Sequence, residues 1–221
     1  MNPSTERFEV AGPAGTLQAL RDRPAPTSVA SVDGTDHAVP PRGVAVICHP
    51  HPLFGGSMDN KVVQTMARAF VQCGWVAVRF NFRGVGASQG AWDEGRGEAA
   101  DLHAVVQQCV GEGEPLALAG FSFGSYVTSL EVAAIAAQRA IEKIVLVGTA
   151  AGNFAVPAVP AELHERCLVL HGEADDTVPL AAVMDWARPQ SLPVTVVPGG
   201  GHFFHGQLPL LKSLVVRHLM A

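Results

Sequence analysis

The chain has 221 residues, 48% of them hydrophobic and 16% charged, with a formal net charge of −5. Such a composition buries a sizeable core and is unlike that of a disordered chain, and the length fits a single domain, since cores stop growing at roughly 250–300 residues. There is no basic tract to attract nucleic acid or an anionic membrane, and the start MNPSTERFEV lacks the basic and apolar pattern of a signal peptide.

Residues 6–21 alternate apolar and polar about a turn at Gly12, Pro13 and Gly15, which predicts an antiparallel hairpin of half-exposed strands. Residues 22–42 hold Pro24, Pro26, Pro40 and Pro41 among small residues and read as a surface loop. From Gly43 onward the pattern changes to short apolar runs separated by helical segments. The runs are VAVIC at 44–48, VAVRF at 76–80, LALAGF at 116–121, IVLVG at 144–148, CLVLH at 167–171 and VTVV at 194–197. Runs apolar at nearly every position suit strands buried on both faces, and parallel strands need crossover helices between them. Residues 59–73, 94–110, 122–139, 180–188 and 207–220 supply these helices. The expected fold is α/β: a mostly parallel central sheet of about eight strands, helices on both faces, and an antiparallel hairpin at its start. The longest uncharged stretch, 144–161, is broken by Gly148, Gly152, Pro157 and Pro160 and cannot be a membrane span. Cys48, Cys73, Cys109 and Cys167 have no C-x-x-C spacing and lie in or beside apolar segments, as free thiols do in a reducing cytoplasm.

In sheets of this kind the ligand crevice lies at the carboxyl ends of the strands. The segments that follow the predicted strands are rich in glycine and polar residues: HPHPLFGG at 49–56, NFRGVGASQG at 81–90, GEADDTVP at 172–179 and GGGHFFHG at 199–206. Gly120-Phe121-Ser122-Phe123-Gly124 ends one strand and opens a helix, the context a G-x-S-x-G nucleophile elbow requires. A serine hydroxyl is a weak nucleophile until a base takes its proton, so a histidine and an orienting acid should follow it in the chain. His202 in GGGH and Asp175 in GEADDTVP both fall just past strand ends, with Asp176 adjacent to Asp175. Asp175 would accept the Nδ1 proton of His202, and His202 Nε2 would take the proton of Ser122. Acyl transfer also needs N–H donors for an oxyanion. One is expected from Phe123, next after the serine. The other should come from the loop after the first parallel strand, where Pro50 and Pro52 have no N–H and His51, Leu53 and Phe54 remain.

These segments resemble the α/β-hydrolase superfamily, and within it a small bacterial family of serine hydrolases without a cap. The resemblance rests on HPHPLFGGSMDNKVV at 49–63, RFNFRGVGAS at 79–88, GFSFG at 120–124 and GHFFHG at 201–206, and runs from about Gly43 to the end. It implies a catalytic set of Ser122, Asp175 and His202, cleavage of small carboxylic esters through an acyl-enzyme, and no cofactor. The superfamily's G-x-x-D-x-x-V-P pattern falls on Gly172, Asp175, Val178 and Pro179, favouring Asp175 over Asp176. Its histidine-glycine-x loop matches at His51, whose backbone amide is therefore the expected second oxyanion donor. The interval 149–166, where the superfamily inserts lids, is short, which predicts an open cleft.

Other readings stay available. A thioesterase or peptidase would use the same three residues, a metal-dependent hydrolase would build on His49 and His51, and the fold also supports non-catalytic binding proteins. Against a metal, no H-x-x-x-H or paired carboxylate accompanies the H-x-H. Gly84, Gly86 and Gly90 fail the spacing of a dinucleotide loop. Asn81 and Arg83 are expected to brace the crevice, His49 and His205 to fix their loops, and His171, His103, His164, His37 and His218 to have no paired role.

Overall fold

Alternation in the first residues folds as expected: β1 (Thr5–Gly12) and β2 (Gly15–Asp22) pair antiparallel from Thr5 opposite Asp22 to Gly12 opposite Gly15. The molecule is represented by a computed structural model that describes residues 5–26, 28–30 and 36–221, with 28–30 and 36–38 described by backbone alone. The predicted loop at 22–42 is in part a correction. β3 (Ser28–Ala30) and β4 (Asp36–Ala38) pair antiparallel as a separate two-stranded ribbon, while residues 27 and 31–35 of that segment, like residues 1–4 of the start, lie outside the described residues. Prolines hid this ribbon because its strands are only three residues long, too short for alternation to register.

The alternating part of the chain then runs β5 (Val44–Cys48), α1 (Lys61–Gln72), β6 (Val76–Phe80), α2 (Arg96–Cys109), β7 (Leu116–Phe121), α3 (Phe123–Ala136), β8 (Ile141–Val147), β9 (Cys167–Gly172), α4 (Leu180–Ala187), β10 (Val194–Val197) and α5 (Leu208–Met220). The main sheet has eight strands in the order β1-β2-β6-β5-β7-β8-β9-β10, parallel from β6 to β10 and antiparallel through the hairpin. β8 begins three residues earlier than its apolar run, since Glu142 and Lys143 interrupt the pattern without ending the ladder.

Helix α1 illustrates how the sequence builds the layers. Asn60 caps it, its Oδ1 accepting the Val62 N–H at 2.8 Å, and Val62, Val63, Met66 and Phe70 recur on the buried face. Gly74, at φ 83°, turns the chain out into β6. Full burial of side chains of this size contributes about 1.5–3 kcal/mol each, whereas loss of the Asn60 cap costs about 1 kcal/mol. Helices α1 and α5 cover one sheet face with a core around Phe70, Trp75 and Leu211; α2, α3 and α4 cover the other around Phe80, Leu102 and Val127. Among the described residues no helix is long and apolar enough to cross a membrane. Burial on both faces leaves the loops at the carboxyl ends of β5 to β10 as the place where polar side chains converge.

Candidate active site

Strand β7 turns into α3 within one residue, and that residue is Ser122. Its backbone sits at φ 57° and ψ −118°, a region that L-residues avoid. The turn is possible because Gly120 and Gly124 lack side chains: a Cβ on Gly120 would lie 2.3 Å from the Gly124 carbonyl oxygen, and one on Gly124 would lie 2.4 Å from that of Cys48. The Ser122 N–H donates to the Val147 carbonyl at 2.8 Å, and Ser125 Oγ donates to the Gly120 carbonyl at 2.7 Å. The strained serine is therefore held from both sides, with its hydroxyl at the start of a helix.

Two further loops bring His202 and Asp175 to it. His202 Nε2 lies 2.9 Å from Ser122 Oγ and His202 Nδ1 lies 2.7 Å from Asp175 Oδ2. A carboxylate only accepts, so Nδ1–H donates to Asp175 and the bare Nε2 accepts the serine O–H. The other carboxylate oxygen, Oδ1, accepts the Thr177 N–H at 3.0 Å and the Val178 N–H at 2.7 Å. Burial pushes the Asp175 pKa up, but the His202 hydrogen bond and the Val178 amide outweigh it and hold the carboxyl below its usual range. Asp176 is exposed and among the described residues reaches only the Thr177 hydroxyl, at 3.4 Å.

Sequence reasoning missed two residues here. His171 was expected to have no paired role, yet it is fully buried, its Nε2–H donating to the Val178 carbonyl at 2.9 Å and lying 3.4 Å from Asp175 Oδ2. Burial lowers its pKa and keeps the ring neutral. Phe204, at φ 50° and wholly buried, anchors the His202 loop. His205, expected to fix that loop, is exposed and makes only a ring contact with Phe203, so the task falls to its apolar neighbour.

The loop after β5 turns through a short 3-10 segment, Pro52–Phe54. Its amides are largely committed. Leu53 N–H donates to His51 Nδ1 at 3.2 Å, and Phe54 and Gly56 N–H both donate to the His51 carbonyl, at 3.2 and 3.0 Å. Of the three candidates this leaves the His51 N–H without a protein partner among the described residues, and Phe123 N–H is an orphan donor at the start of α3. The loop is pinned by His49, whose Nδ1–H donates to the Pro50 carbonyl at 2.6 Å while Nε2 accepts the Phe82 N–H at 3.0 Å. Both ring nitrogens are thus engaged, and His49 has no lone pair for a metal ion.

A cavity of about 300 Å³ opens over these loops, with Ser122, His202 and His51 among its walls. Ser122 is only 8% exposed. Phe54 and Phe203 on the cavity rim are 86% and 42% exposed. A larger groove, about 730 Å³, runs between the hairpin and α1, away from Ser122, and Arg79 within it is paired with Asp22 at 2.9 Å.

A family model described as serine aminopeptidase, S33, matches residues 39–163. Among solved structures, an α/β serine hydrolase without lid from Xanthomonas campestris is 34% identical with a TM-score of 0.84, covering 100% of this chain and 95% of its own. An α/β serine hydrolase homologue from Coxiella burnetii is 36% identical with a TM-score of 0.79, each chain covered to 97%. The chain belongs to the α/β-hydrolase superfamily. An uncharacterized protein of Rickettsia prowazekii is 42% identical over 87 residues, 38% of this chain, and the match spans 37% of that protein's length.

As an α/β hydrolase, the molecule uses its remaining crevice residues for bracing. Asn81 accepts the Met58 N–H at 2.9 Å and donates to Gln18 at 2.9 Å, tying the loop after β6 to the loop before α1 and to the hairpin. Arg83 makes a two-pronged pair with buried Asp101, at 3.1 and 2.7 Å, and Ser88 Oγ donates to the Asn81 carbonyl at 2.7 Å. His103, also expected to stand alone, lies 3.1 Å from Glu131, whereas His164 meets the Val159 carbonyl and His218 the Arg166 carbonyl.

Proposed function

We propose that this α/β hydrolase cleaves small carboxylic esters through a covalent acyl-enzyme. The observation that carries the reading is the unbroken hydrogen-bonded line from Asp175 through His202 to a serine in strained backbone geometry. Ser122 Oγ attacks the ester carbonyl carbon as its proton passes to His202 Nε2, and Asp175 steadies the imidazolium. The carbonyl oxygen becomes an oxyanion held by the N–H groups of Phe123 and His51; removal of one such donor typically costs about 10²–10³ in rate. Collapse of this intermediate breaks the bond to the alcohol, which leaves with the proton from His202. Water then attacks the acyl-serine with His202 as base, releasing the acid and restoring Ser122. No step requires a cofactor. Four free cysteines, two of them buried, favour a reducing cytoplasm, and the substrate is a small molecule.

A peptidase reading is favoured by the description of the matching family model, and it uses the same residues. Labelling with a fluorophosphonate probe tests the nucleophile. Wild type should label and Ser122→Ala should not; a folded wild type that stays unlabelled would refute the reading. Rates on short 4-nitrophenyl esters, acyl thioesters and peptide anilides then rank the acyl groups, with esters expected first.

A further inference from the structure

The cavity walls carry information about the acyl group, on the premise that Ser122 is the nucleophile. On one side the rings of His51, Phe54, Phe123 and Phe154 form a connected wall. His51 lies 4.8 Å from Phe54 and 4.9 Å from Phe123, and Phe123 lies 5.4 Å from Phe154, which is itself stacked on Tyr126 at 4.7 Å. On the other side Phe203 meets the His202 ring edge-on at 5.1 Å. Phe54, Phe154 and Phe203 all line the cavity. Its volume of about 300 Å³ is at the small end for a pocket that takes a small organic ligand.

Charge is as informative as shape. Among the described residues that line the cavity none is Asp, Glu, Lys or Arg; the polar groups beyond the reacting ones are Asn60, Asn153 and Thr177. His51 is kept neutral by partial burial, with its Nδ1 taken by the Leu53 N–H. Asp175 offers no counter-charge either, since it sits behind His202 with both oxygens already accepting. A carboxylate or an ammonium entering here would lose water without meeting a partner, which is strongly disfavoured. An aminopeptidase, by contrast, needs an anionic group to hold the α-ammonium of its substrate.

We propose that the site selects uncharged esters with a flat, conjugated or aromatic acyl group laid against Phe54 and Phe154, and rejects esters that carry a carboxylate or a free α-ammonium. Matched substrates test this, each measured as kcat/KM after the uncatalysed rate is subtracted. 4-Nitrophenyl butyrate should exceed 4-nitrophenyl hemiglutarate by about 100-fold in kcat/KM, and N-acetylalanine methyl ester should exceed alanine methyl ester by a similar factor. 4-Nitrophenyl 3-phenylpropanoate should exceed its cyclohexyl counterpart by about 3–10-fold, the worth of an aromatic pair. Asn153 is exposed, so Asn153→Lys should fold normally and raise the hemiglutarate rate relative to butyrate by at least about 10-fold. Equal rates for butyrate and hemiglutarate, a faster free amine, or no relative gain in Asn153→Lys would overturn the proposal. Fluorophosphonate labelling of the same preparation separates the two levels. Protein that labels at Ser122 with the wrong preference refutes the substrate class alone; folded protein that does not label refutes the nucleophile.

Discussion

His171 Nε2 stands 3.4 Å from Asp175 Oδ2, the same oxygen that His202 Nδ1 meets at 2.7 Å. The Nε2–H of His171 goes to the Val178 carbonyl, so this ring fixes the turn whose Val178 N–H holds the other oxygen of Asp175. His171→Phe keeps the ring's bulk but removes the donor, leaving the Val178 carbonyl without a side-chain partner and Asp175 less firmly held. Leaving the buried Val178 carbonyl unpaired costs about 1–3 kcal/mol and loosens the turn whose amides hold Asp175, so kcat should fall by about 10-fold with KM little changed. His171→Gln, which can place an N–H near the same point, should recover part of the loss. Steady-state kinetics on one ester decides it; equal loss in both variants would mean that only packing is at stake.

Adjacent carboxylates give a sharper contrast. Asp175→Asn forfeits the charge that orients His202 and should lower kcat by about 10⁴, whereas Asp176→Asn, on an exposed side chain, should stay within about twofold of wild type. Similar losses in the two variants would refute the assignment of the acid.

Backbone strain at Ser122 makes a prediction that runs against activity. Its φ 57° and ψ −118° mirror an ordinary extended conformation, which glycine adopts freely and serine does not. Strain of this sort costs about 1–3 kcal/mol, while the extra chain entropy of glycine costs about 0.5–1 kcal/mol. The first term wins. Ser122→Gly should abolish turnover yet raise unfolding stability by about 1 kcal/mol, visible as a higher urea midpoint; a drop in midpoint would show that the turn is not strained.

Acid should loosen the loops before it dissolves the sheet. Burial lowers the pKa of His49 from 6.5 to about 4, so the folded state prefers its neutral ring. A depressed folded pKa contributes stability that is fully present above the unfolded value and lost as pH falls through the folded one. The window is thus pH 6.5 down to 4, and the loss there is roughly 3 kcal/mol at about 1.4 kcal/mol per pKa unit. His218, also lowered to about 4 by burial, adds to the slope in the same direction. Urea midpoints measured across this range should fall more steeply in wild type than in His49→Gln, whose amide oxygen can still accept the Phe82 N–H.

Much of this was legible beforehand, for identifiable reasons. Strands buried on both faces leave uninterrupted apolar runs, so β5, β6, β7 and β10 coincide with their predicted bounds. That Ser122, Asp175 and His202 would lie at neighbouring strand ends was readable because each follows a strand at a turn rich in glycine or acid, where periodicity stops abruptly. His171 was not. It belongs to an apolar run, and its approach to Asp175 depends on how residues 172–178 fold back, which no periodic signal reports. Phe204 was hidden for the converse reason: nothing in a Phe-Phe pair says which ring is buried, and here Phe204 is buried while Phe203 is 42% exposed.

The turn at Pro52–Phe54 separates two tasks on one short segment. Its main chain is immobilised by the His51 and Pro52 carbonyls, while Leu53 and Phe54 project from it, 64% and 86% exposed. Substitutions at such exposed positions usually alter stability by less than about 0.5 kcal/mol. Natural or laboratory selection can therefore exchange these side chains at little cost in stability while the main chain beneath stays in register, and if the proposed ester hydrolysis holds, that freedom retunes which acids are released. A saturation library at Phe54, which lines the cavity, is the economical place to look for new preferences under that proposal.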